Sequence, residues 1–205
     1  MNHVVQGDQP RTWIRAWDDL RLEPVARTVG ANSPVFEQWL TDGGGSRGVY
    51  LYSFDDAAPG SEKEVFFNMQ MPHSWLEGTA IHVHVHWIGN TSDVAATPRW
   101  GLEYTWKDIG GTFGNTTIIY KAENKDGPAS TDPDVTALKH YVTEFDAIVP
   151  GATEGEISAI LIGRIFRDSA DAADTYNIAG NKCGLLYIDA HYEVDAFGSR
   201  QEYVK

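Results

Sequence analysis

From about residue 49 onward the chain alternates apolar and polar positions with a period of two, in short runs rich in β-branched and aromatic residues, and Gly, Pro, Asn and Asp separate the runs. The clearest run is "RWGLEYTW". Trp100, Leu102, Tyr104 and Trp106 fall on one side of it, and Arg99, Gly101, Glu103 and Thr105 on the other, as in a half-buried antiparallel strand. "GVYLYSFD" sets Tyr50, Tyr52 and Phe54 on one face, and with "KEVFFNMQM" across the Pro59-Gly60 turn it predicts a hairpin. "IHVHVHW", "NTTIIYKA", "LKHYVTEF", "EISAILIGRIF" and "CGLLYIDAHYEVDAF" bring the total to about eight strands. The segments between them, such as "ENKDGPASTDPD" and "DSADAADTYNIAGNK", have loop chemistry.

The first 45 residues read differently. "SPVFEQWL" predicts one short helix over about 34–40, with Ser33 as cap, Pro34 at the first position, and Val35, Phe36, Trp39 and Leu40 as the apolar face. "RTWIRAWDDLRLEPVART" before it predicts an extended arm with Trp13, Trp17 and Leu20 free to dock, either on the chain's own body or on a neighbouring subunit. The expected organisation is an arm with a short helix (1–45), a β domain (46–196) and a polar tail (197–205). About eight antiparallel strands with few helices predict an all-β fold, an antiparallel β-sandwich of jelly-roll type. An eight-stranded barrel is the alternative.

Composition narrows the function. The formal charge of −13, with no Lys/Arg run to offset it, disfavours nucleic-acid binding by counterion release. No apolar run reaches the roughly 18 residues of a membrane span, and "MNHVVQGDQPRTW" lacks the features of a signal peptide, so folding in a cytoplasm is expected. Cys183 is the only cysteine, which rules out an intramolecular disulfide. With no basic neighbour in sequence, it reads as a buried, inert thiol.

The candidate chemistry lies in "IHVHVHW". Strand residues two apart share a face about 6.6 to 7 Å apart, so His82, His84 and His86 point one way while Ile81, Val83, Val85 and Trp87 form the core face. The outer two histidines, about 13 Å apart, cannot both reach one ion at roughly 2.0 to 2.1 Å. At most two could ligate it, and another strand must supply the rest. "IDAHYEVD" could do so, since Asp189, His191 and Glu193 alternate onto one face. A cupin-like, metal-dependent enzyme is therefore an alternative reading. The His-x-His pair resembles the cupin ligand pair, but the glutamate expected about four residues later is Asn90 or Ile88, the first acid afterwards is Asp93, and Gly78 is the one matching glycine. The plainer reading of the same alternation is the wetter face of a half-buried sheet, with no metal and no cofactor.

Other matches have the wrong context. "GGSRG" places Ser46 after a turn and before a strand, the reverse of a nucleophile elbow. "DSADAADTY" lacks the glycine and terminal glutamate of a calcium loop. Trp75, Trp87, Trp100 and Trp106 raise a third class, a carbohydrate-binding module stacking sugars on indoles, although alternation puts at least Trp100 and Trp106 in the core.

"WDDLR" (17–21), "QMPHSWLEGT", "HVHW", "WGLEYTW", "FGNTTIIY", "LIGRIFRD" and "LLYIDAHYEVDAFGSRQEYVK" span nearly the whole chain. In these stretches it resembles a family of small virion-associated proteins of tailed bacteriophages. The resemblance implies a non-enzymatic structural component of the virion, made in the host bacterial cytoplasm. Such a component acts through contacts with other capsid or tail subunits, as head decoration (cement) or as a tail- or fibre-associated protein. A cyclic homo-oligomer is expected, a trimer being one option.

Overall fold

The computed structural model describes residues 15–26, 32–45, 47–57, 60–151, 153–199 and 201–203. Trp13, Ser46 and Pro59 lie outside the described residues. Two antiparallel sheets face each other as a sandwich, and among the described residues there is no helix. The larger sheet runs in the order β10 (Ser130–Thr131), β9 (Lys125–Gly127), β11 (His140–Glu144), β6 (Ile81–Gly89), β13 (Cys183–Val194), β4 (Gly48–Phe54) and β3 (Val35–Thr41). β1 (Ala16–Leu22) pairs with β13 alongside its second half, Ile188 to Val194. The smaller sheet runs β2 (Val25–Ala26), β5 (Glu64–Gln70), β12 (Ile160–Arg167), β7 (Arg99–Lys107) and β8 (Thr117–Ala122).

Every run predicted from period two is a strand. The sheets stack because each has one apolar face: Val65, Phe67, Met69, Trp100, Leu102, Leu161 and Ile165 meet Ile81, Val83, Val85, Trp87, Tyr141, Ile188 and Ala190 in one core. Each of the Val, Leu, Ile, Phe and Met side chains contributes about 1.5–3 kcal/mol on burial.

Three expectations are corrected. The segment expected as a helix over 34–40 is β3, paired with β4 from Val35↔Ser53 to Thr41↔Gly48. An isolated helix of that length does not hold itself together in water, whereas a β-branched and aromatic segment beside an open strand edge gains a full ladder of hydrogen bonds. β4 and β5 are not a hairpin, because the chain crosses between sheets from residue 55 to 63. The Ser169 hydroxyl helps fix that crossing: it accepts from Ala57 N (2.8 Å) and donates to Ala57 O (3.1 Å). The described part of the arm takes the first of its two expected destinations, the chain's own body: β1 pairs with β13 over seven residues and Leu20 packs against the core. Finally, "ENKDGPASTDPD" contains the short strands β9 and β10.

Two local features position the rest. β13 carries a bulge between Leu185 and Tyr187, so the inward-facing residues change from Cys183 and Leu185 to Ile188, Ala190 and Tyr192. That shift turns Tyr187, Asp189 and His191 outward beside the histidines of β6. The loop after β12 is tied down by Arg167, fully buried with Asp174. Its Nε and Nη2 donate to the two Asp174 carboxylate oxygens (2.9 and 3.0 Å). Nη1 donates to the carbonyls of Phe54 and Asn181 (3.1 Å each), and Nη2 to that of Tyr176 (2.6 Å). All five guanidinium N–H groups are thereby used.

Candidate functional site

The outward face of the larger sheet carries a groove of about 600 Å³. β6 forms its floor, β11 and β13 flank it, Trp17 of β1 closes one side, and β9 with Pro128 closes the other. Register explains what meets there. Glu144 of β11 and Asp189 of β13 stand opposite His84 on its two sides. Val142 and Tyr187 flank His86 in the same way, and His191 stands opposite His82. Facing residues in an antiparallel pair come within side-chain reach, so one row reads carboxylate, imidazole, carboxylate.

His84 and Asp189 are almost fully buried on this outer face. The Asp189 Oδ1 atom lies 3.5 Å from His84 Nδ1 and 3.3 Å from His86 Nε2. Neither approach has hydrogen-bond geometry, so Asp189 Oδ1 and His86 Nε2 are buried without a hydrogen-bond partner, as is His84 Nε2. The other Asp189 oxygen, Oδ2, sits 3.4 Å from His191 Nε2, and that nitrogen also approaches Asp19 Oδ1 at 3.0 Å. His86 Nδ1 is hydrogen-bonded to His140 Nε2 at 2.8 Å. The His86 ring also stacks on Tyr187 at 4.3 Å between centroids.

Burial, helped by the neighbouring His191, pushes the His84 imidazole down to about 4, although Asp189 and Glu144 pull the other way. Burial and His86 lower His140 as well. For Asp189 burial acts to raise the carboxyl, but the surrounding rings of His86, His84 and His191 outweigh it and hold it below its ordinary value. Glu144 is likewise held low against the effect of burial, mainly by an ion pair with Lys125. The groove thus sets the His84 imidazole, held low, between two carboxylates, Asp189 and Glu144, that are also held low.

Among the sequence candidates, His82, His84, His86, Asp189 and His191 gather on this face, while Glu193 stands farther along β13 with Arg15 (3.5 Å). His82 approaches Glu144 at 3.5 Å and the edge of Trp17 at 5.5 Å. Trp17 remains 58% exposed. The residue in the cupin glutamate position, Asn90, clamps a loop by donating to Gly180 O and accepting from Lys182 N. His140, Glu144 and Asp19 were not singled out from sequence. Alternation in "LKHYVTEF" does place His140 and Glu144 on one side, opposite Tyr141 and Thr143, and that was the available signal. The sugar-stacking set is corrected: Trp75, Trp87, Trp100 and Trp106 are all buried in the core. Cys183 is buried, and desolvation pushes its thiol up to about 12.

No family model and no curated protein matches this chain. Among solved structures, it is similar to a carbohydrate-binding module, TmCBM61, determined in complex with β-1,4-galactotriose. The identity is 12%, the match covers 88% of each chain, and the TM-score is 0.30, too slight a likeness to guide a reading of the groove.

Proposed function

We propose that this chain is a structural component of a tailed-bacteriophage virion that acts through protein–protein contacts, as head decoration or as a tail- or fibre-associated protein. The observation that carries the proposal is the β3–β4 hairpin. Strand pairing puts Val35, Leu40 and Val49 on one face and Phe36 and Tyr50 on the other. All five are exposed, at 54%, 41%, 54%, 60% and 48% respectively. Among the described residues β3 is moreover the last strand of its sheet, with an unpaired backbone edge. A hairpin apolar on both faces with an open edge is built to be covered, because a sheet that meets only water on one side keeps that side polar. The two faces together offer on the order of 400 Å² of apolar surface, which at about 25 cal/mol per Å² is a driving force near 10 kcal/mol before ordering costs if both are covered.

Strand order is a second support. Numbering β4 to β8 and β11 to β13 from one to eight in chain order, the first, eighth, third and sixth form one sheet and the second, seventh, fourth and fifth the other, with β1 and β3 added to the first. We assign this arrangement to the jelly-roll type, an architecture common in viral shells. The partner of the hairpin is, in the first instance, a second copy of this chain in a cyclic homo-oligomer. Sedimentation equilibrium at 0.15 M salt tests that contact. The wild-type chain sediments as an oligomer, and Phe36→Asp with Val49→Asp sediments as a folded monomer. A wild-type chain that stays monomeric at high micromolar concentration overturns the self-contact.

A further inference from the structure

We propose that the groove holds one transition-metal dication of the zinc class, ligated by His84, His86 and Asp189. One donor atom from each of these residues lies within 4.8 Å of the other two. In a tetrahedral site with metal–nitrogen and metal–oxygen bonds of about 2.0–2.1 Å, neighbouring donor atoms are about 3.3–3.4 Å apart. The observed separations from Asp189 Oδ1, 3.5 Å to His84 Nδ1 and 3.3 Å to His86 Nε2, are two edges of such a tetrahedron.

Hydrogen bonding points the same way. Asp189 Oδ1 and His86 Nε2 face each other, buried, with no hydrogen bond between them. Buried polar atoms left unsatisfied are costly, and one cation between these two atoms satisfies both at once. His140 Nε2 stands 2.8 Å from His86 Nδ1. When His86 donates its Nδ1–H there, its Nε2 lone pair is left aimed at Asp189, the outer hydrogen bond usual for a metal-bound imidazole. His191, itself braced by Asp19, stands against the other oxygen of Asp189 and acts as a positioning residue. The second cluster on this face, Asp19, Asp189 and His191, is the weaker candidate because His191 and Asp19 already satisfy each other at 3.0 Å. Two imidazoles and one carboxylate suit zinc or cobalt better than magnesium or calcium, which prefer all-oxygen sites. A fourth position remains open toward the groove for water or for a group on a partner.

The test uses the full-length chain, tag-free and stripped with chelator. Titration with zinc by calorimetry and with cobalt by visible absorption reads both stoichiometry and geometry. The expected result is one ion per chain, with cobalt d–d bands of tetrahedral intensity. Asp189→Asn and His86→Gln each weaken binding by more than about 10-fold, and His140→Gln weakens it less. His73→Gln, which alters a histidine bridging Ser158 and Ser199 outside the groove, leaves binding unchanged. The proposal is overturned if the wild-type chain takes up no stoichiometric ion, if cobalt gives only the faint octahedral spectrum, or if the His73 change matters as much as the groove changes. The wild-type measurements decide the matter even if a variant fails to fold.

Discussion

Replacing Asp174 by Ala leaves the Arg167 guanidinium in the core without its countercharge. The structure sets the size of the effect. Two charge-assisted hydrogen bonds from Arg167 and one from the Arg99 amide are lost together, at a position where both charged side chains have no exposure. Breaking a buried pair on one side costs about 3–5 kcal/mol, against a total stability of roughly 5–15 kcal/mol for a typical domain. For a chain of this size that is a fall in Tm of about 6–20 °C. Calorimetry and urea unfolding followed by tryptophan fluorescence both measure it. Arg167→Met with Asp174→Leu adds a sharper test. Exchanging a buried pair for apolar residues is often neutral, but here the carbonyls of Phe54, Asn181 and Tyr176 also lose their donor. The double variant therefore stays well below wild type. A single variant within about 0.5 kcal/mol of wild type, or a double variant at wild-type stability, would refute the view that this guanidinium ties the loop to both sheets.

Three further outcomes follow from packing and charge. Gly101→Ala costs about 1–3 kcal/mol in chemical denaturation, because a Cβ there would lie 2.2 Å from the Phe166 ring and the ring must shift. Cys183 resists maleimide labelling at pH 8 in the native chain and labels fully in guanidinium, since its buried thiol is pushed up to about 12; rapid native labelling would contradict its placement. Glu103 is held below its ordinary value, first by the Thr116 hydroxyl and next by Arg164. Its contribution to stability is accordingly complete above about pH 4.5 and is lost as pH falls through the lower native value. Thr116→Val flattens the acid limb of a stability–pH curve, and an unchanged limb would remove that assignment.

Much of the fold was legible because period two in β6 and β7 is the direct imprint of one dry face and one wet face. It failed where two periods coincide. Val35, Phe36, Trp39 and Leu40 fit a helix face, yet over seven residues they equally fit a bulged strand, and a Ser33-Pro34 start is what a helix N-terminus also uses. Periodicity also says nothing about partners, which is why β4 and β5 read as a hairpin although they belong to different sheets. The groove shows the same limit. The outward histidines and acids of β6 and β13 could be read from alternation, but bringing Asp189 opposite His84 depends on register and on the bulge after Leu185. His140 and Glu144 were missed because Val142 between them interrupts the polar side of β11.

The central claim is a place in a virion, and the most direct measurement is quantitative mass spectrometry of gradient-purified particles for this chain. The account predicts the chain in every particle preparation at a fixed multiple of the symmetric shell or tail subunits, and its depletion when Phe36→Asp and Val49→Asp are introduced. Particles of full infectivity that lack the chain, or that carry the double variant at wild-type copy number, would contradict it.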